Sequence, residues 1–123
     1  MIKKLVPIDS ETGRYLQVDM NRLMRETRDL LDFIDTHITP ENDEFQVLKY
    51  VKPLCEAVLV GSLKLPFDYY DLPLSYYNRE GMLPRDFSSL YNNFRLTVSG
   101  SPRFFSERVN VGGVLYKHAE FEE

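Results

Sequence analysis

One long amphipathic helix is the feature that most restricts how this chain can fold. Between residues 20 and 38 the side chains that suit a buried helix face recur every three or four positions. They are Met20, Leu23, Met24, Thr27, Leu30, Leu31, Ile34 and Ile38. Asp19 directly precedes the first of them and is a favourable N-cap residue. The pattern predicts a helix that begins after Asp19 and continues to Ile38.

Two further helices are predicted downstream. Thr39 and Pro40 are typical of a helix start, and the apolar stripe that follows ends near Gly61. Pro53 lies inside that stripe and is expected to kink or split the helix, because proline has no backbone N–H to donate. A third helix is predicted between Pro84 and the break at residues 99–102. Its apolar positions are Phe87, Leu90, Tyr91 and Phe94.

Both ends of the chain are predicted to form β-hairpins. Residues 2–8 and 14–18 have strand character and are separated by a turn-rich stretch, and Pro7 places the first strand at a sheet edge or ends it. Residues 104–121 are predicted to fold back at Gly112 and Gly113, because two glycines supply the positive φ of a two-residue turn. The pairs that follow from this turn are Val111 with Val114, Val109 with Tyr116, Glu107 with His118 and Phe105 with Glu120.

These elements predict a single α+β domain that spans residues 1–123. The expected order is an N-terminal β-hairpin, three helices and a C-terminal β-hairpin, with an antiparallel sheet covered on one side by helices. A chain of 123 residues suits one domain with its own core, and no repeat, low-complexity tract or linker divides it.

Charge and cysteine content narrow the class of protein. The net charge of −4 and the pI near 5.2 argue against nucleic-acid binding but permit a basic protein partner. The single cysteine cannot form an intramolecular disulfide, which favours a reducing compartment. No signal peptide or membrane-spanning segment is predicted, so we expect a cytoplasmic protein.

An aromatic segment at residues 66–77, PFDYYDLPLSYY, is the best candidate for recognition. It shows neither a helical nor a strand period, and tyrosine offers a large rigid surface with a polar tip, which suits protein interfaces. The alternative is that the rings, Phe67 included, lie on the core as an irregular connection. The candidate partner-binding residues here are Tyr69, Tyr70, Asp71, Tyr76 and Tyr77.

A second candidate is an acidic corner. Residues 26–44 carry seven acids against one base, a formal charge of −6. Spacing of i,i+4 offers partners to some acids, through the pairs Arg22 with Glu26, Arg25 with Asp29 and Arg28 with Asp32. The other acids are expected to meet unpaired between the first two helices, where they would steer a basic partner, unless they form only a solvated face. They are Asp35, Glu41, Asp43 and Glu44.

Catalytic chemistry is not predicted. His37 and His118 have no serine or cysteine placed near them by the sequence, and Cys55 falls on an apolar helix stripe, as a structural buried cysteine would. No metal-ligand spacing or phosphate-binding glycine loop is present. The sequence predicts a protein without catalytic activity, metal or cofactor.

The expected function is therefore to bind and occlude another protein. In size, charge and lack of catalytic motifs the chain resembles bacterial immunity proteins and antitoxins, which inhibit basic toxins such as nucleases; a monomer is favoured. One alternative is a dimeric secretion chaperone with an exposed apolar groove. Another is a small-molecule enzyme with a tyrosine-lined pocket and His118 with Glu107 as acid/base groups.

Overall fold

The structure is a computed structural model and describes residues 1–38 and 49–122. Its elements confirm the α+β class, with three helices of more than seven residues as predicted, two shorter ones and a three-stranded antiparallel sheet in the described part of the chain. In order they are β1 (Ile2–Pro7), α1 (Met20–His37), α2 (Lys52–Leu59), a 3-10 helix (Tyr69–Asp71), α3 (Ser75–Arg79), α4 (Arg85–Val98), β2 (Val109–Val111) and β3 (Val114–Phe121).

Helix α1 has the predicted start and the predicted buried face. The Asp19 carboxylate accepts a hydrogen bond from the Arg22 backbone N–H at 3.2 Å, which satisfies one of the free donors at the helix start. Leu23, Leu30 and Ile34 are buried along one side. The residues that follow Ile38 in the predicted second helix, 39–48, lie outside the described residues.

Helix α2 begins at Lys52, so Pro53 stands in its first turn rather than in its interior. A proline is harmless there because the first N–H groups of a helix have no partner within it. Gly61 follows the helix end, as predicted, with its N–H bonded to the Val58 carbonyl at 3.1 Å.

The three long helices share one apolar core. Helix α1 packs against both α2 and α4. Phe87, Tyr91 and Phe94 of α4 are fully buried and meet the apolar stripe of α1 and Cys55 of α2. Each buried apolar side chain of this size contributes about 1.5–3 kcal/mol, so this core is the main source of stability for the helical part.

The sheet has the strand order β1-β3-β2, with all pairs antiparallel. The C-terminal hairpin is confirmed: Gly112 and Gly113 both have positive φ, and Val111 pairs with Val114. The predicted pairs of Glu107 with His118 and of Phe105 with Glu120 were wrong, because β2 has only three residues. The His118 N–H donates instead to the Ser106 hydroxyl, so the chain leaves the ladder before Glu107 and Phe105 can pair with β3.

The predicted N-terminal hairpin is also wrong in part. The chain reverses after Pro7 as expected, but residues 14–18 form only one isolated bridge, between Ile8 and Tyr15. Tyr15 and Val18 are both buried, although residues three apart cannot share one face of a strand. Strand β1 pairs along its length with β3 instead and forms one edge of the sheet.

The sheet has an inner face and an outer face. Val6 and Ala119 on the inner face are buried with Ile8 and Tyr15 in a second, smaller apolar core. Tyr15 connects this core to α4, because its N–H donates to the Gly100 carbonyl at 2.6 Å just beyond the helix end. The outer face leaves apolar side chains exposed, namely Leu5, Val111 and Val114.

Candidate functional site: a surface of exposed tyrosines

The aromatic segment lies between α2 and α4 and is fixed to the core at several points. The Phe67 N–H donates to the Val98 carbonyl at 2.9 Å, which holds the start of the segment against the end of α4. Leu72, in its middle, is buried in the helical core. The Tyr91 hydroxyl donates to the Pro73 carbonyl. A segment that carries no period of its own is therefore ordered by its contacts with α4.

Two short helices within the segment set the directions of the rings. The Asp68 carboxylate accepts from the Tyr70 N–H at 2.9 Å and caps the 3-10 helix. Helix α3 follows after Leu74, which has a positive φ of 61°. Arg95 of α4 holds both helices, since its guanidinium carbon lies 4.5 Å from the Tyr69 ring centre and its Nη2 donates to the Ser75 hydroxyl at 3.3 Å.

The rings divide into an inner and an outer set. Phe67 and Tyr69 pack against the helical core, in agreement with the alternative that placed the rings there. Tyr70, Tyr76 and Tyr77 are 81%, 58% and 40% exposed. We call these three residues the tyrosine surface.

Neighbouring side chains support the exposed rings. The Tyr69 and Tyr70 rings meet edge to face at 5.8 Å, and the Tyr76 and Tyr77 rings do so at 5.9 Å. The guanidinium of Arg79 lies 5.6 Å from the Tyr76 ring centre. Such contacts restrict the rings without covering them, so the tyrosine surface is partly ordered before any partner arrives.

Basic and acidic side chains both lie at the tyrosine surface, since Arg14 is 5.1 Å from the Tyr70 ring centre and Arg79 is 5.6 Å from that of Tyr76. Residues 66–82 carry three acids and one base. Asp71 is exposed on the 3-10 helix, whereas Asp68 lies 3.6 Å from Arg14 and Glu80 lies 3.5 Å from Arg79. Of these three acids, Asp71 is the one that has no ion pair in the described structure, and it is a predicted site residue.

The acidic corner is described only at Asp35. Its carboxylate accepts from the Lys52 ammonium at 2.8 Å, so the prediction that Asp35 is unpaired was wrong. That hydrogen bond raises the pKa of Lys52. The other predicted members of the corner, Glu41, Asp43 and Glu44, lie outside the described residues.

Two of the residues considered for catalysis, His37 and Cys55, pack against other side chains of the fold. The His37 ring stacks on Phe33 at 3.9 Å, and its Nδ1 lies 2.9 Å from the Phe33 carbonyl oxygen. Cys55 is fully buried as predicted, and burial raises its pKa to about 12. His118 is exposed on the outer face of the sheet and does not belong to the aromatic segment. The prediction of a tyrosine-lined pocket around His118 was therefore wrong.

A buried polar cluster between α1, α4 and the loop that follows α4 was not predicted from the sequence. Glu26 is only 7% exposed, and its carboxylate accepts from the Thr97 hydroxyl at 2.5 Å, with Arg103 Nη2 at 3.5 Å. Burial raises the pKa of Glu26, whereas Thr97 and Arg103 oppose the rise. The expected pair of Arg22 with Glu26 does not form, because Arg22 bonds to Glu122 at 3.3 Å.

A sequence signal for this cluster did exist. Glu26 stands three residues after Leu23 and four before Leu30, within the buried stripe of α1. A carboxylate at such a position needs a buried partner, because an unpaired buried charge is costly. The partners come from residues 97 and 103, and their distance along the chain hid the cluster.

Neither a protein-family model, nor a curated protein, nor a solved structure matches this chain. Among the described residues, no group of three or more histidine, cysteine or acidic side chains is placed to hold a metal ion. None of the described helices combines the length and apolarity needed to span a membrane.

Proposed function

We propose that this protein acts in the cytoplasm by binding a partner protein through the tyrosine surface and occluding part of it. The single observation that carries the proposal is the exposure of Tyr70, Tyr76 and Tyr77 on two short helices that are fixed to the core. Tyrosine is enriched among the residues that dominate binding energy at protein interfaces. Fixed rings also lose little freedom on binding, which favours affinity.

Charge complementarity favours a partner with a basic surface. The whole chain carries a net charge of −4, and the exposed Asp71 next to Tyr70 has no ion pair in the described structure. Opposite charge accelerates encounter between partners and disfavours wrong ones. A basic toxin such as a nuclease has such a surface, because it must attract phosphate. We therefore propose an inhibitor of the immunity-protein or antitoxin type.

Site-specific photo-crosslinking in the native host tests this proposal. A photoreactive phenylalanine analogue is placed at position 70 and, as a matched control, at position 50, because Tyr50 is also exposed, at 61%, and lies outside the tyrosine surface. We expect one basic protein to be crosslinked from position 70 and not from position 50, and its activity to be inhibited by the purified wild-type protein. Equal crosslinking from both positions, or an acidic partner, would contradict the proposal.

A dimeric secretion chaperone is the second candidate, and one observation favours it. The outer face of the sheet exposes Leu5, Val111 and Val114, and a second copy covering these side chains would remove them from water. Light scattering of the purified protein separates the two candidates. A strict monomer excludes the chaperone, whereas a dimer that is lost in a Val111→Lys variant supports it.

A further inference from the structure

A cleft of about 200 Å³ lies between the sheet and the helices. It is bounded by the sheet at Ala119 and Phe121, by α4 at Leu96 and by the loop residue Phe104. Its volume corresponds to about seven water molecules at liquid density, which is enough for a small organic molecule. None of its lining residues belongs to the tyrosine surface, so the cleft is separate from the proposed partner-binding site.

The walls of the cleft are largely apolar on one side and charged on another. Val18, Leu96, Ala119 and Phe121 supply apolar surface, and Phe104, which is 43% exposed, extends this surface outward. An apolar wall with a few convergent polar groups is the usual composition of a small-molecule site. Such walls favour a ligand whose body is apolar.

Four charged side chains line the cleft, namely the bases Arg22 and Arg103 and the acids Asp19 and Glu120. Both acids already have partners, because Asp19 accepts from the backbone N–H groups of Arg22 and Glu122, and Glu120 lies 3.8 Å from Lys3. Arg22 and Arg103 both line this cleft and also a second one beside it. The bonds of Arg103 to Glu26, Thr97 and the Asn93 carbonyl all use Nη2, and those of Arg22 use Nε. Within the described structure the other N–H groups of both side chains have no acceptor, so they can donate to a ligand.

The charges of these arginines influence each other. Burial is the main cause that lowers the pKa of Arg103; Glu26 raises it, and the nearby charge of Arg22 lowers it further. Glu122 pairs with Arg22 and Glu26 pairs with Arg103, so an added anion would be held by the remaining N–H groups and not by an excess of positive charge. A carboxylate matches guanidinium geometry because it can accept two parallel N–H bonds.

From this arrangement we infer that the cleft is a binding site for a small carboxylic acid with an apolar body, with the carboxylate bound by Arg22 and Arg103. The apolar chain lies against Leu96, Ala119 and Phe121. The existing ion pairs of the two arginines stay in place, because they use different N–H groups. The acids Glu26 and Glu122 hold the guanidiniums in position and prevent a net positive charge from building up.

Binding of octanoate and of its uncharged analogue octanamide tests this inference. Both probes are titrated into the isotope-labelled protein below their aggregation limits, and backbone amide shifts are followed. We expect octanoate to shift the amides of Leu96 and Ala119, and to bind at least about tenfold more tightly than octanamide, because only the acid forms charge-assisted hydrogen bonds with the arginines.

Variants separate the charged from the apolar part of the site. Arg22→Gln and Arg103→Gln are each expected to weaken octanoate binding about tenfold and to leave octanamide binding unchanged. Arg28→Gln is the matched control for Arg22→Gln, since Arg28 is an exposed residue of the same helix outside the cleft. Ala119→Leu fills the cleft and is expected to abolish binding of both probes, with folding checked by the dispersion of the spectrum.

The inference is overturned if octanoate shifts no amide of the cleft. It is equally overturned if octanamide binds as tightly as octanoate, or if Arg28→Gln weakens octanoate binding as much as Arg22→Gln does. Because the tyrosine surface shares no residue with the cleft, none of these results depends on whether a partner protein binds there.

Discussion

The guanidinium carbon of Arg14 lies 5.1 Å from the centre of the Tyr70 ring and 5.5 Å from that of Tyr69. Arg14 thus contacts one ring that is exposed and one that is packed on the core. Its Nη1 is also 3.6 Å from Asp68, the residue that caps the 3-10 helix. The exposed ring is held by elements that belong to the folded core, and a cation–π contact at such a site contributes about 0.5–1 kcal/mol.

Replacement by alanine should therefore cost much more stability at Tyr69 than at the adjacent Tyr70. Tyr69→Ala removes a ring that packs against the helical core and lies 4.5 Å from Arg95, so we expect it to lower the free energy of unfolding by about 1–3 kcal/mol. Tyr70→Ala removes a mostly exposed ring together with its contact to Arg14, so it should lower that free energy by no more than about 0.5–1 kcal/mol. Urea denaturation measures both values. Equal losses would mean that the outer ring is structural too.

Gly100 should be the least replaceable glycine at the junction of sheet and helices. A Cβ at this position would overlap the backbone oxygen of Tyr15, and the residue has a φ of +68°. Gly81 has the same φ with open space around it, so Gly81→Ala carries the backbone strain alone, at about 1–2 kcal/mol. We expect Gly100→Ala to lower the melting temperature clearly more than Gly81→Ala does. Similar losses would show that Tyr15 moves aside at little cost.

The buried carboxyl of Glu26 should make stability depend on pH. Burial raises its pKa in the folded state above the ordinary value of 4.5, so the folded protein binds this proton more tightly than the unfolded chain does. Its stabilising contribution is fully present below the unfolded pKa and is lost as the pH rises through the folded pKa.

The free energy of unfolding of the wild type, relative to that of Glu26→Gln, is therefore expected to fall as the pH rises above about 4.5. Denaturant titrations of both proteins at a series of pH values measure this difference, and other titrating groups cancel in it. A difference that stays constant or rises with pH would mean that Thr97 and Arg103 outweigh the effect of burial.

The thiol of Cys55 should be unreactive in the folded protein. It is fully buried, and its pKa of about 12 leaves almost no thiolate at neutral pH. A colorimetric disulfide reagent at pH 8 is expected to label it only as fast as the protein unfolds, and to label it rapidly in concentrated urea. Rapid labelling of the native protein would show that α2 opens locally.

The sequence predicted those elements whose determinants are local. Asp19 and the stripe through Leu23 and Ile34 define α1, and Gly112 with Gly113 defines the C-terminal turn. Both depend on periodicity or on residues adjacent in the chain, so no knowledge of the rest of the fold was needed.

The errors arose where distant residues compete. Tyr15 was assigned to a strand, but its N–H bonds to Gly100 and its hydroxyl bonds to the His118 carbonyl at 2.6 Å. Arg22 was paired with Glu26 by spacing, yet Glu122 lies closer to it in the fold. The residues in these contacts are between 85 and 103 positions apart in the sequence, so no local pattern predicts them.

The sequence indicated which segment holds the candidate site, but not which of its rings are exposed and which are packed on the core. Composition indicated the aromatic segment, but which rings face outward depends on α4. Tyr69 packs inward against the guanidinium of Arg95. Tyr70 is exposed, and its N–H donates to the Asp68 carboxylate. The sequence alone offered both outcomes for all five rings, and the structure assigns one to each.

The measurement that tests the central claim most directly is the affinity of the crosslinked partner, once purified, for alanine variants of the tyrosine surface. We expect Tyr70→Ala and Tyr77→Ala each to raise Kd about tenfold or more in isothermal titration calorimetry, because residues that dominate an interface contribute more than about 1 kcal/mol each. Tyr50→Ala, the matched exposed control, should leave Kd unchanged. An unchanged Kd in both tyrosine-surface variants, with the fold intact, would contradict the claim that these rings form the binding site.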